Sequence, residues 1–221
     1  MKLALFDLDN TLLVGDSDYE WGRFLAARGA RDPQLQAEAT ERFYRQYQEG
    51  TLDIDEFLRF QLEPLAATPR PTLEAWRARF MAEHVAPMMA AQPGQWVREH
   101  LAAGDCCVLV TATNSFVVGP IARAFGFAHL IATVPAVDGD GQFTGQVQGT
   151  PSFREGKITR VETWLAEQGL WWSDFSESRF YSDSINDLPL LEKVDTPIAV
   201  APDPKLAAIA QQRGWEIRAQ R

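Results

Sequence analysis

Leu3-Ala4-Leu5-Phe6-Asp7-Leu8-Asp9-Asn10-Thr11 joins an unbroken apolar run to an acidic end. Four apolar residues without polar alternation read as a strand buried on both faces, the form strands take in parallel sheets. Such a strand needs parallel neighbours, and the later sequence supplies them. Cys106-Cys107-Val108-Leu109-Val110 is a second buried run ending at Thr111, followed by shorter runs at 130–132, 179–181 and 198–200. Between them lie helical patterns at 97–103, 116–125, 157–167 and 188–192, with Gly126 and Gly169 just past two of the ends, and a last helix and strand near Trp215. Asp138-Gly139-Asp140-Gly141 marks a hairpin between 134–137 and 143–147. Strands alternating with helices predict a doubly wound parallel α/β sheet.

The alternation is interrupted once. From Asp16 to about Val85 the pattern is helical throughout, with aromatics at helical spacing. Asp32-Pro33 fits a helix start, Gly50 a helix end, and Asp53 with Glu56 a capping box. Pro69 and Pro71 separate a further helix carrying Leu73, Trp76, Phe80 and Met81 on one face. The expected organisation is an α/β core, 1–15 and 87–221, with a helical bundle at 16–86 inserted directly after the first strand.

Composition narrows the function. The 221 residues carry 21 Lys+Arg against 30 Asp+Glu, a net charge of −9, which opposes binding to phosphate backbones or anionic lipid. Nucleic acid and membrane are therefore not expected partners. No apolar run approaches the roughly 18 residues of a spanning helix, and no signal peptide is visible at the start. The adjacent Cys106 and Cys107 point to opposite faces of a strand, so neither a disulfide nor a zinc site is expected. The expected location is cytoplasmic.

In open α/β sheets ligands bind beyond the carboxyl ends of the strands. Those positions hold Asp7 and Asp9, then Thr111, then Asp183 and Asp187, with Lys157 opening a helix. Singly, each has a structural explanation as a turn, cap or solvated residue. Together they match phosphoryl transfer. A carboxylate can attack phosphorus and split a slow hydrolysis into two steps. The approach of two anions calls for a divalent metal and a fixed cation. Asp7 and Asp183 suit Mg²⁺, Lys157 supplies the cation, and the Thr111 hydroxyl with the adjacent backbone at Ala112 holds phosphate oxygens. Asp9 lies on the same side of an extended chain as Asp7 and can act as general acid and then base.

Asp7-Leu8-Asp9-Asn10-Thr11, Thr111, Lys157 and Tyr181-Ser182-Asp183-Ser184-Ile185-Asn186-Asp187 resemble the four motifs of the haloacid dehalogenase superfamily. The placement of the insert is similar to its phosphoserine phosphatase-like branch. The resemblance implies a Rossmann-like core, Asp7 as nucleophile, Asp9 as acid/base, and Thr111 and Lys157 as phosphate ligands. It further implies Mg²⁺ on Asp7, Asp183 and the backbone carbonyl of Asp9, supported by Asp187. Asp16, Ala112 and Asn186 complete the expected substrate contacts. Ser182 stands where the family usually has Gly. Asp9 favours phosphate chemistry, because dehalogenases lack that second acid.

In that branch the inserted helices form a cap that reads the leaving group. Asp16 falls where an acid binds the substrate ammonium, and it is equally suited to cap a helix, with Ser17 and Asp18 as rivals. Where the branch places an arginine for the substrate carboxylate, this chain has Gln61, with Arg59 displaced by two positions. An amine anchor without a carboxylate anchor implies an amino-alcohol phosphate such as histidinol phosphate. Trp21, Phe24, Phe43, Tyr44, Tyr47, Phe57 and Phe60 are available to pack an imidazole. The expected partner is thus a small phosphorylated metabolite. Phosphoserine hydrolysis, phosphotransfer to an organic acceptor and a phospho-accepting signalling domain stay open as alternatives.

Overall fold

The structure, a computed structural model, describes residues 1–220. Six parallel strands form one sheet in the order β3-β2-β1-β6-β7-β8. They are β1 (Leu3–Phe6), β2 (Cys106–Asn114), β3 (His129–Thr133), β6 (Ser178–Ser182), β7 (Thr196–Val200) and β8 (Glu216–Arg218). Chain order runs outward from β1 in both directions, so the sheet is doubly wound as expected. The switch in direction falls at β1, where Leu3 pairs with both Cys106 and Ser178. A crevice opens there beyond the strand ends.

Alternate residues along the strands feed two cores. Ala4, Phe6, Cys107, Leu109, Tyr181, Ile198 and Val200 face one side, packed against α6 (Ala91–Ala102) and α7 (Ser115–Phe125). Leu3, Leu5, Val108, Val110, Phe180 and Ala199 face the other, under α8 (Glu155–Glu167), α9 (Leu188–Leu191) and α10 (Pro204–Arg213). The period of two is why β1 is buried over its full length. His100 is a structural residue: its ring nitrogens lie 2.8 Å from an Asp105 carboxylate oxygen and 2.9 Å from the Tyr181 hydroxyl.

The insert comprises α1 (Ser17–Ala27), α2 (Pro33–Glu49), α3 (Ile54–Ala67) and α4 (Arg70–Phe80). A widened turn, Met81–Val85, then leads into the short α5 (Ala86–Met88). Asp16 caps α1 and Asp32 caps α2, which closes on Gly50 in the left-handed region. Asp53 caps α3, but the expected capping box is not completed. Glu56 turns outward to Arg42 at 2.6 Å instead of back to the cap backbone. The two linkers joining insert to core run side by side, with Leu13 bridged to Met89 and Val14 N–H donating to the Met88 carbonyl at 2.8 Å.

Trp21 and Phe24 lie in the hydrophobic core, not in a pocket. They stack on each other at 5.4 Å, Phe80 meets Trp21 edge-on at 5.1 Å, and Phe116 of α7 joins them. These two aromatics are therefore removed from the set available to a ligand. The hairpin, β4 (Pro135–Val137) and β5 (Phe143–Val147), lies against α3. Gly145 has φ +78°, and a Cβ there would sit 3.4 Å from the Ala66 methyl, so glycine meets both the conformation and the close approach.

Two boundaries differ from the sequence reading. β2 continues past Thr111 to Asn114, with a register shift against β3 after Val110. α6 starts at Ala91 because Pro93 falls in its first turns, where a missing N–H costs no helix bond.

Candidate active site

The carboxyl ends of β1 and β6 bring Asp7 and Asp183 to the crevice, with Thr11 between them. The Thr11 hydroxyl lies 3.3 Å from Asp7 Oδ2 and 3.2 Å from Asp183 Oδ1, and it accepts the Asp183 N–H at 3.0 Å. Asn10, at φ +57°, turns the chain so that Thr11 comes back under the acids. Lys157, buried on the first turn of α8, donates to Asp7 Oδ1 at 2.8 Å and to Asp187 Oδ2 at 2.7 Å. Asp187 Oδ2 also accepts the Ser182 hydroxyl at 2.6 Å. The serine at the motif's usual glycine position is therefore a working hydrogen-bond donor.

Burial pushes the Asp7 carboxyl up to about 7; Lys157 pulls against that shift and Asp187 adds to it. Asp183 is likewise held well above the carboxylate range by burial, then by Asp7 and Asp187. Burial works against the Lys157 ammonium, yet Asp187 and Asp7 outweigh it and keep the charge above its ordinary range. Asp7 and Asp187 share Lys157 while Asp183 meets Asp7 through Thr11, so three acids stand against one lysine, a balance that a divalent cation would offset. No cluster of three or more His, Cys, Asp or Glu side chains stands ready as a metal cage among the described residues. The Asp7 and Asp183 carboxylates, brought together by Thr11, are a partial oxygen set of the kind Mg²⁺ accepts while retaining water. These residues fit the ion: Asp7 and Asp183 could hold it, with Asp187 linked to Asp7 through Lys157.

Asp9 is fixed at both oxygens. Ser17 N–H donates to Oδ1 at 2.6 Å and the Thr113 hydroxyl donates to Oδ2 at 2.8 Å. Burial raises its carboxyl to about 7, with Asp16 adding to the shift, a value suited to an acid that must give and recover a proton near neutrality. Thr113 was not visible as a site residue in the sequence, because β2 appeared to end two residues earlier. Thr111 is fully buried and accepts the Thr113 N–H at 3.2 Å, with Ala112 between them on the crevice wall.

The insert closes the crevice into a pocket. Its lining includes the polar Asp16, Asp18, Gln36 and Gln61 and the aromatic Phe43, Tyr44, Phe57 and Phe60. Asp16 accepts the Asp18 and Tyr19 N–H groups through Oδ1, both at 2.9 Å, so the helix-cap role is realised at the pocket edge. Gln61 donates to Asp18 Oδ2 at 2.7 Å. Arg59 is exposed and outside the lining. Asn186 also lines the pocket, but its Oδ1 is held by Arg154 at 3.0 and 2.9 Å. Arg154 and Tyr47, neither assigned a specific contact from sequence, tie the insert to the fourth motif. Tyr47 Oη lies 2.5 Å from Ser184 Oγ, and Arg154 donates to the Gly50 carbonyl at 2.9 Å.

Known proteins share the sequence and the fold of this chain. The family model described as haloacid dehalogenase-like hydrolase matches residues 4–192. A histidinol-phosphatase of Neisseria meningitidis serogroup C (strain 8013) is 43% identical over 216 residues, covering 98% of this chain and 97% of that protein. A solved protein of unknown function from Bordetella pertussis Tohama I superposes with a TM-score of 0.94 at 52% identity, covering 100% of this chain and 99% of the other. A substrate-bound phosphoserine phosphatase shares the fold, with a TM-score of 0.71 at 21% identity, covering 100% and 93%. With its full-length relatives and its Asp7–Asp9–Lys157–Asp183 arrangement, the chain belongs to the haloacid dehalogenase-like hydrolase family, as one of its phosphatases.

Proposed function

We propose that the chain hydrolyses a small phosphomonoester through a phosphoaspartate at Asp7, with Mg²⁺, and that the substrate is an amino-alcohol phosphate, histidinol phosphate best of all. The observation that carries the reaction is the sharing of one buried ammonium, Lys157 Nζ, by Asp7 and Asp187 while Asp9 stands fixed across the crevice. Asp7 attacks phosphorus as the bond to the leaving oxygen breaks, and Asp9 gives that oxygen its proton. Asp9 then takes a proton from the water that opens the acyl phosphate. Lys157 and the Thr111 hydroxyl bind the phosphoryl oxygens, and Thr11 orients both Asp7 and Asp183. Bound Mg²⁺ would neutralise charge between Asp7 and the phosphate.

The insert at 16–86 is proposed as a cap over a core made of 1–15 and 87–221. Asp16 Oδ1 holds the helix N-terminus, and its second oxygen serves the substrate ammonium. Gln61, bonded to Asp18, offers no charge to a substrate carboxylate, which disfavours phosphoserine. Full-length likeness to a histidinol-phosphatase supports the same ester. The free thiols of Cys106 and Cys107 accord with action in the cytoplasm. The test is phosphate release with Mg²⁺ from histidinol phosphate and phosphoserine at matched concentration. A histidinol phosphate kcat/KM at least about tenfold the higher supports the reading; equal or reversed values overturn it.

A further inference from the structure

Asp18 sits in the first turn of α1 with 8% of its surface exposed, and its carboxylate lines the pocket. The side-chain donor that reaches it among the described residues is the neutral Gln61 amide at 2.7 Å. A carboxylate this buried is costly without a cationic or strong donor partner. By donating its NH₂ to Asp18, Gln61 leaves its own Oε1 as an acceptor. This corner therefore presents acceptors and no cation. The nearby arginine of the insert does not change that. Arg31 sits over the Phe60 ring, 3.6 Å from its centre, and donates to Gln36 Oε1 at 2.8 Å, to the Phe60 carbonyl and to Glu63 Oε2 at 3.3 Å. Beside the corner, Phe43 meets Phe57 at 5.3 Å and Phe60 at 5.4 Å, an apolar wall suited to a flat ring.

We infer that Asp18 and Gln61 read the ring N–H groups of a nitrogen heterocycle on the substrate, a second specificity element separate from the ammonium anchor at Asp16. The inference rests on the amino-alcohol phosphate reading and adds to it. Asp16 recognises what every amino-alcohol phosphate shares, whereas the Asp18–Gln61 corner separates ring-bearing esters from short ones. The same corner repels an ester with a carboxylate, since that group would face Asp18 without a counter-charge.

The test is calorimetric binding of histidinol phosphate and phosphoethanolamine to the full chain carrying Asp7→Asn, which removes turnover, with and without Asp18→Asn or Gln61→Arg. The expected result is at least a tenfold preference for histidinol phosphate, reduced about tenfold by Asp18→Asn. Gln61→Arg, an independent route if Asp18→Asn folds poorly, is expected to reduce the preference and to strengthen phosphoserine binding. Absence of preference in the Asp7→Asn background, or equal weakening of both esters by Asp18→Asn and Gln61→Arg, overturns the inference. Phosphate release by the wild type is measured alongside. If binding discriminates as expected but histidinol phosphate is not hydrolysed, the hydrolysis reading fails and the recognition corner stands.

Discussion

At Asp9 both carboxylate oxygens are engaged, one by a helix N-terminal N–H and one by the Thr113 hydroxyl. A general acid works only when its proton points at the leaving oxygen, so in the proposed mechanism Thr113 would position Asp9 for the first step. Thr113→Val should lower kcat roughly 10–100-fold with a smaller change in KM, read by steady-state kinetics; an unchanged kcat would remove Thr113 from the mechanism. That the acids gather at one crevice was legible in the sequence, because each follows a buried apolar run. Thr113 was not. It lies inside a strand whose apolar stretch stops at Val110, and only the backbone continuation to Asn114 carries it to Asp9. Trp21 and Phe24 mislead in the opposite sense: helical spacing says that they share a face, not which side that face meets.

Among elements, the join between α2 and the start of α8 matters most. Arg154 holds Asn186 and the Gly50 carbonyl at once, and Lys205 donates to the Gln48 carbonyl at 2.6 Å. Arg154 does this at φ +49°, a backbone conformation that costs about 1–3 kcal/mol for a non-glycine residue. Two substitutions separate the strain from the contact. Arg154→Ala and Arg154→Gly should both raise KM several-fold by loosening the insert over the pocket. Arg154→Gly should be the more stable of the two by about 1 kcal/mol, because glycine accepts the conformation. Thermal denaturation orders the variants, and an alanine variant as stable as the glycine one would contradict the strain. The helices of the insert were readable from caps and prolines. The contacts from their tips to the fourth motif were not, since nothing in local sequence links Tyr47 to Ser184.

Over the whole molecule, the excess of acid at one crevice makes stability depend on pH. Asp7, Asp9 and Asp18 are each pushed from 3.8 up to about 7, chiefly by burial. The folded protein thus binds more protons than the unfolded chain between about pH 4 and pH 7. Their contribution is fully present below pH 4 and is lost as pH rises through about 7. Glu177, lowered to about 2 by Arg179, Lys2 and Thr196, contributes in the opposite sense, but only below about pH 4.5. In EDTA the Tm should therefore fall from pH 5 to pH 7.5, and Mg²⁺ should raise it more at pH 7.5, where it no longer competes with protons. A metal-free Tm that rises across that range would contradict the charge balance. The doubly wound sheet and the interrupted helical block were legible at this scale, because burial on both strand faces and the position of the insert are written in residue type.

In the proposed reaction Asp7 carries the phosphoryl group. Acid quench within the first turnover on histidinol phosphate with Mg²⁺, followed by peptide mass spectrometry, tests it most directly. A phosphoryl adduct on Asp7 is expected, with neither adduct nor phosphate release in Asp7→Asn. Turnover by Asp7→Asn, or wild-type turnover with the adduct on another residue, would contradict it.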